Sequence, residues 1–255
     1  MMPAALASEG AFTWLSLIPF LGTEEGAKYL PFAHSMLATV LCLLVAWLAR
    51  SAMLRAPKGP EGLIPEANLK PRNFFELYVE SILNMCRGVL GADAERFFPL
   101  IAGVFLYVLV SNMMGVFPGF LPPTDQLNTN LPISITVFLV YNISGIRRQG
   151  LVNYAKHFMG PVLWLAPLMV LIEVVSHLVR PVSLAVRLYG NIFGDHLVLD
   201  IFLNQLPNTL GMVLGYGIPV VFLGLGIFVS FIQAFVFSLL SVMYIALAVE
   251  THDEH

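Results

Sequence analysis

The sequence predicts an all-α integral membrane protein of about five membrane-embedded helices plus an interfacial amphipathic helix, the last two spans forming a long, strongly tilted hairpin. Three observations carry this reading. Of 255 residues, 58% are hydrophobic and only 11% charged, where about a quarter of a soluble domain is charged. The mean hydropathy is +0.80. The apolar residues gather into blocks near the ~20 residues that cross ~30 Å of hydrocarbon as a helix. The two C-terminal blocks are about twice that long, so they must tilt, kink or lie partly along the surface.

The elements follow in order. A first span over residues 32–48 stops at Arg50 and is followed by a polar stretch with Arg55, Lys58, Pro60, Pro65, Lys70 and Arg72. Residues 73–90 mix Phe74, Phe75, Leu77, Tyr78, Ile82 and Leu83 with Glu76, Glu80, Asn84 and Arg87. That mixture is too polar for hydrocarbon and predicts an amphipathic helix at the interface or against a partner. A second span covers 99–117, a Pro/Gly turn 118–123 and a polar loop 124–130. A third span, 131–146, stops at Arg147 and Arg148. A short amphipathic piece, 151–159, precedes the long apolar segments 161–203 and 209–249. Pro181, Gly190 and Gly194 are natural kink points in the first of these. Residues 1–30 then form an outside-facing N-terminal segment, and 31–255 a single helical membrane domain that includes the hairpin 161–249.

Charge sets orientation and excludes several functions. Arg50, Arg55, Lys58, Lys70, Arg72 and Arg87 follow the first span, and Arg147, Arg148 and Lys156 the third, while 118–130 and 204–208 carry no basic residue. By the positive-inside rule the N-terminus is outside and the C-terminus cytoplasmic. The net charge of −3 and the lack of a basic cluster argue against nucleic acid. Cys42 and Cys86 are isolated, fit no zinc or disulfide pattern, and read as buried apolar residues. No metal and no cofactor is expected. The first twenty residues lack a basic region, which argues against a signal or transit peptide and favours a bacterial inner membrane. No internal repeat is visible, which argues against a duplicated carrier.

The penultimate segment carries an unusual pattern. Glu173, Ser176, Arg180, Ser183, Arg187, Asn191 and Asp195 are spaced by three or four residues, so on a helix they share one face. From Glu173 to Asp195 the rise is about 33 Å, close to the hydrocarbon thickness. Arg187 stands inside it, and a guanidinium near a bilayer centre costs between ~3 and ~17 kcal/mol. Serines alone are common where membrane helices touch. Three ionisable groups, Glu173, Arg187 and Asp195, on one face mark an ion or proton path. Ser230, Gln233, Phe237, Ser241 and Tyr244 form a weaker matching stripe on the last segment. His34 and His177 lie near segment ends and read as interfacial residues.

At these residues the sequence resembles a known family, subunit a of the rotary F-type ATP synthase. The resemblance rests on Glu173-Val174-Val175-Ser176, on the string from Arg180-Pro181-Val182-Ser183 through Arg187-Leu188-Tyr189-Gly190-Asn191, and on Gln233-Ala234-Phe235-Val236-Phe237. Ser111-Asn112-Met113-Met114-Gly115 and the loop Leu127-Asn128-Thr129 add to it. It covers the chain from about residue 73 onward. Two departures stand out: many bacterial members have Gly-Glu where this chain has Asp195-His196, and a histidine where it has Gly226.

The resemblance implies a subunit of a hetero-oligomeric complex, held in the lipid bilayer beside a ring of c subunits with lipid-buried carboxylates, and touching peripheral-stalk b subunits, with residues 73–90 a candidate contact. The chain has no phosphate-cradling Gly-rich loop with its lysine, so it is expected to be non-catalytic. Its implied task is proton transfer through two offset half-channels. Asp195 and His196, with Asn191 and Gln233 as neighbours, would serve the outside path. Glu173 and Ser176 would serve the cytoplasmic one, with Arg187 between them, and Ser183 and Asn112 are further members of the proton pathway. A sodium-translocating version, a stand-alone carrier and a passive scaffold are the competing readings.

Overall fold

The computed structural model describes residues 13–54, 71–117, 119–157, 165–200 and 217–249. Within them all regular secondary structure is helical. A short α1 (Glu24–Ala27) is followed by α2 (Leu30–Leu54), α3 (Pro71–Leu90), α4 (Ala94–Val116), α5 (Leu127–Gln149), α6 (Leu151–His157), α7 (Ala166–Asp200) and α8 (Gly217–Val249). Five stretches are long and apolar enough to cross a membrane, in α2, α3–α4, α5, α7 and α8, in agreement with the sequence. The predicted link at 204–208, the end of the predicted piece at 151–159, and both chain termini fall outside the described residues.

Helix ends overrun the apolar blocks. α4 starts at Ala94 and α5 at Leu127, each just over one turn before its proline, Pro99 or Pro132. Near a helix start proline removes one donor without breaking the rest of the ladder. Polar Glu95 and Arg96, or Asn128 and Asn130, can extend the helix beyond hydrocarbon, because the backbone gains its hydrogen bonds there as well. Apolar blocks therefore mark the span and not the helix. α5 ends where Gly150 takes φ +80° and its N–H bonds the carbonyl of Ile146 at 2.9 Å. That left-handed turn, open to glycine at little cost, starts α6 back against α5.

α4 is the central helix, packed by α2, α3 and α8, while α5 packs on α7 and α8. The core is built from Ile101, Phe105 and Val108 of α4, Val137 and Tyr141 of α5, Leu184 and Leu188 of α7, and Ala234, Phe237, Val242 and Ile245 of α8. α3 is amphipathic as predicted. It buries Ile82 and Cys86, and the Tyr78 hydroxyl donates to the carbonyl of Ala102 at 2.6 Å, which folds α3 back along α4. Cys86 is buried and Cys42 half-buried.

Much apolar surface stays uncovered. Phe32, Leu43 and Trp47 of α2, Leu171, Val175, Leu178, Val182 and Val186 of α7, and Phe228 and Phe235 of α8 are all exposed. A surface of this kind is stable only against lipid or a partner. At the N-terminal side the sequence reading needs a correction. His34 is 0% exposed, not interfacial: Nδ1 lies 2.7 Å from the carbonyl of Leu30 and the ring meets Phe120 edge-on. The cause is a lid over the start of α2, where the Trp14 N–H donates to the carbonyl of Gly119 at 3.0 Å.

The junction of α5, α6 and α8 is tight. A Cβ on Gly145 would lie 2.7 Å from the Tyr154 ring and 3.0 Å from the carbonyl oxygen of Ala248. Gly145→Val is expected to destabilise the fold by about 1–3 kcal/mol through overpacking, seen as a lower melting temperature of the detergent-solubilised protein. An unchanged melting temperature would show that the junction yields freely.

Candidate functional site

α7 runs unbroken through Pro181 for 35 residues, about 52 Å at ~1.5 Å per residue. Because it stays helical, the predicted stripe forms as a line. Glu173, Arg180, Ser183, Arg187, Asn191 and Asp195 are half-buried and Ser176 is exposed. On one side of the line lies the packed face of His177, Pro181, Leu184, Leu188 and Ile192. On the other lies the uncovered face of Val175, Val179, Val182 and Val186. The polar groups therefore mark the border between protein interior and the surface left for lipid or a partner.

Two contacts fix α8 against α7. The Asn191 amide donates to Gln233 Oε1 at 2.5 Å, and the Arg180 guanidinium carbon sits 5.5 Å from the centre of the Tyr244 ring. The contacts are eleven residues apart on both helices, in opposite senses, so they describe one antiparallel register. In that register Arg187 is level with Phe237. The second predicted stripe faces inward: Ser230, Gln233, Phe237 and Ser241 are buried and Tyr244 half-buried. Ser241 Oγ donates to the carbonyl of Phe237 at 2.8 Å, satisfying its hydroxyl within the helix.

The two arginines of the stripe differ. Arg180 has Glu173 at 3.8 Å and the face of Tyr244. Both side chains of that ion pair are partly exposed, so the pair itself contributes little, about 0–1 kcal/mol. Arg187 forms no ion pair among the described residues. Its Nη1 is buried and has no hydrogen-bond partner among them. A guanidinium carries five donors and stays charged, so a buried and unanswered N–H is costly. The geometry presents a cation next to an uncovered apolar face, with one buried donor unanswered among the described residues.

The remaining predicted residues divide. Asn191 and Gln233 are brought together. Asp195 is half-buried at the opposite end of the line from Glu173, while the side chain of His196 is outside the described set. Asn112 does not lie on the stripe. It is buried and accepts from Thr124 Oγ1 at 2.7 Å, in a knot where the Asn130 amide donates to the carbonyl of Thr124 at 2.8 Å. The turn holding Thr124 rests against α7, so Asn112 is linked to the stripe's helix through that turn. At Gly226 a Cβ would meet nothing closer than Val116 at 3.6 Å, so the position has room for a side chain. Among the described residues no group of three or more His, Cys, Asp or Glu could hold a metal ion.

Sequence reasoning missed one polar centre. His177 is 8% exposed, and not the interfacial residue expected. Its Nε2 lies 2.8 Å from Asn142 Oδ1, 3.2 Å from the Tyr141 hydroxyl and 3.5 Å from the Tyr154 hydroxyl. α6 folds under the end of α5 and closes this knot, a contact that α7 periodicity alone cannot reveal. The available signal was Tyr141-Asn142, an adjacent pair of large polar side chains within the third span.

The ATP synthase A chain family matches residues 31–246. The chain is 40% identical to ATP synthase subunit a of Bdellovibrio bacteriovorus, over 95% of this chain and 99% of that one. It is 47% identical to ATP synthase subunit a 2 of Syntrophotalea carbinolica, over 89% of this chain and 88% of that one. It is 42% identical to ATP synthase subunit a of Geobacter sulfurreducens, over 90% of each. With a match that runs through all five apolar stretches and both stripes, the chain belongs to the ATP synthase A chain family.

Proposed function

We propose that this chain is the stator subunit that passes protons through the membrane sector of a rotary ATP synthase, with Arg187 separating two offset half-paths. The carrying observation is the Arg187 guanidinium, with Nη1 buried and no ion pair among the described residues, set beside an uncovered apolar face. A chain that keeps such a cation takes its counter-charge from a partner. The partner chemistry that fits is a ring of c subunits, each presenting a carboxylate from lipid. The chain itself performs no ATP chemistry. It works in a hetero-oligomer, with b subunits as further neighbours and α3 as their candidate contact.

The mechanism follows from the stripe. A carboxylate within ~4 Å of Arg187 is favoured in its ionised form by about 4 kcal/mol at an effective dielectric of 20. An incoming neutral carboxylic acid therefore gives up its proton on reaching Arg187. Glu173, Ser176 and Ser183 line the route to the cytoplasm. Beyond Arg187 the carboxylate is reprotonated from the outside, through Asp195 and His196 with Asn191, Gln233 and Asn112. Only then can it re-enter lipid, because an ion there is too costly. The fixed cation also repels protons that would pass straight from one path to the other. A charge moving through 100 mV releases about 2.3 kcal/mol, which biases the ring's rotation. Orientation follows the basic residues, with the N-terminus outside and the C-terminus on the cytoplasmic side of a bacterial inner membrane.

Three variants test this in the complete complex reconstituted in vesicles. Arg187→Ala is expected to abolish ATP-driven acidification while the complex still assembles; normal pumping would refute the gate. Asp195→Asn combined with His196→Ala is expected to slow proton entry from outside, read as reduced passive conductance. Unchanged conductance would show that the outside relay lies elsewhere. Glu173→Gln is expected to reduce pumping less than either, since its carboxylate is partly exposed and water can replace it. Repeating the assay with and without sodium distinguishes the two ions, and acidification that depends on sodium would overturn the proton assignment.

A further inference from the structure

α5 leaves the packed core along one ridge. Ile135, Leu139 and Ile143 are exposed, each four residues after the last. Arg147 stands at the next step and is exposed too. Residues four apart on a helix are neighbours on one side of it, so this arginine ends an apolar ridge. From Ile135 to Arg147 the rise is about 18 Å, close to half of the ~30 Å hydrocarbon core. The ridge therefore spans about one leaflet.

The two arginines at this end are used differently. Arg148 is tied to Asp93 at the start of α4. Arg147 forms no ion pair among the described residues. Its stem can lie along the ridge while its guanidinium reaches the headgroup level. The chain then turns at Gly150, whose φ is +80°, and α6 folds back with the Tyr154 hydroxyl donating to Asn142 Oδ1 at 2.9 Å. That contact faces Tyr154 inward and leaves Leu151 and Val152 68% and 67% exposed. Apolar surface thus continues past the end of α5, which puts Arg147 at the membrane interface and not in bulk water. A short amphipathic helix beside such a surface suits the interface plane, a use for α6 that the proton path does not supply.

We propose that this elbow of α5 and α6 is a binding site for an anionic phospholipid, whose headgroup phosphate pairs with Arg147 and whose acyl chain lies along Ile143, Leu139 and Ile135. Charge complementarity selects the ligand class. An uncommitted guanidinium favours a phosphate, to which it can donate two hydrogen bonds at once. A zwitterionic lipid offers the same phosphate but brings its own cationic group beside it. A partner helix could cover the ridge, but it would bring no phosphate to the guanidinium at its end. The orientation proposed above makes this the cytoplasmic leaflet, whose surface is negative. Nothing else in the inference rests on the proton path.

The test uses the complete complex in vesicles of phosphatidylcholine and phosphatidylglycerol. Each lipid is supplied in turn with a photoreactive group in its acyl chain, and labelling of residues 135–152 is mapped by mass spectrometry. At equal abundance phosphatidylglycerol is expected to label this stretch about fivefold more than phosphatidylcholine. Arg147→Gln is expected to assemble and to bring the two lipids to parity, while Arg147→Lys keeps much of the difference. Arg148→Gln with Asp93→Asn, which removes the neighbouring ion pair whole, is expected to leave the ratio unchanged. Parity in the wild-type complex, a ratio that survives Arg147→Gln, or a ratio lost in the Arg148 and Asp93 double variant overturns the inference. So does absence of label from both lipids, which would show that another subunit covers the ridge. Labelling is read without ATP, so each of these results leaves the Arg187 gate to its own test.

Discussion

A guanidinium inside apolar sequence, without an acid to answer it among the described residues, is the constraint around which the rest of this structure is arranged. Charge of that kind is tolerated only where something recovers its cost. Here the chain answers one of its two stripe arginines and leaves the other. Arg180 has Glu173 and Tyr244, whereas Arg187 has a buried Nη1 and no ion pair among the described residues. The position that stands to Arg187 as Glu173 stands to Arg180, seven residues earlier, is Arg180 itself and not an acid. One turn after Arg187 the sequence places the neutral Asn191 and ties that amide to Gln233. The neighbouring polar group is thereby held by α8, and the cation stays available to a visitor.

The surrounding helices supply rigidity for that arrangement. α7 is anchored along its packed face through Leu184 and Leu188, and α8 through Phe237, Val242 and Ile245, all in one core with α4 and α5. The contacts Arg180–Tyr244 and Asn191–Gln233 straddle Arg187 in a single register, so its height relative to α8 is set from both sides. Polar knots close the ends: Asn112, Thr124 and Asn130 at the turn between α4 and α5, and His177, Asn142 and Tyr154 where α6 meets α5. The middle, by contrast, presents valines outward at residues 179, 182 and 186. A partner that slides past such a face meets no hydrogen bond to break, which suits a rotating contact better than a fixed one.

Much of this was legible in the sequence because the bilayer simplifies the rules. Apolar blocks gave the spans, and three- and four-residue spacing gave the stripe, since an unbroken α7 leaves no freedom in which side chains share a face. The α8 stripe was readable for the same reason. Boundaries were less so, because helices such as α4 continue into polar sequence where hydrogen bonding still rewards them. The buried histidines were misjudged for a different reason. His34 and His177 lie near segment ends, where a one-helix view predicts an interface. Other elements cover them, the Trp14 turn in one case and α6 in the other, and those contacts depend on loop geometry that no periodicity encodes. The bond from Thr124 to Asn112 joins a turn to a helix and was for the same reason not readable from spacing.

The departures from the wider family pattern now have a physical frame. Gly226 has space for a side chain, with Val116 the nearest neighbour at 3.6 Å. The glycine is therefore not demanded by packing, and a titratable group lost from that position is not lost for lack of room. Asp195 and its neighbour His196 offer two titratable groups on α7 itself. Moving the groups onto one helix changes which backbone holds them and puts Asp195 about two turns C-terminal of Arg187. In the relay proposed above, that separation would leave the groups near enough to reload a carboxylate that has passed the arginine, and too far along the helix to pair with the arginine themselves.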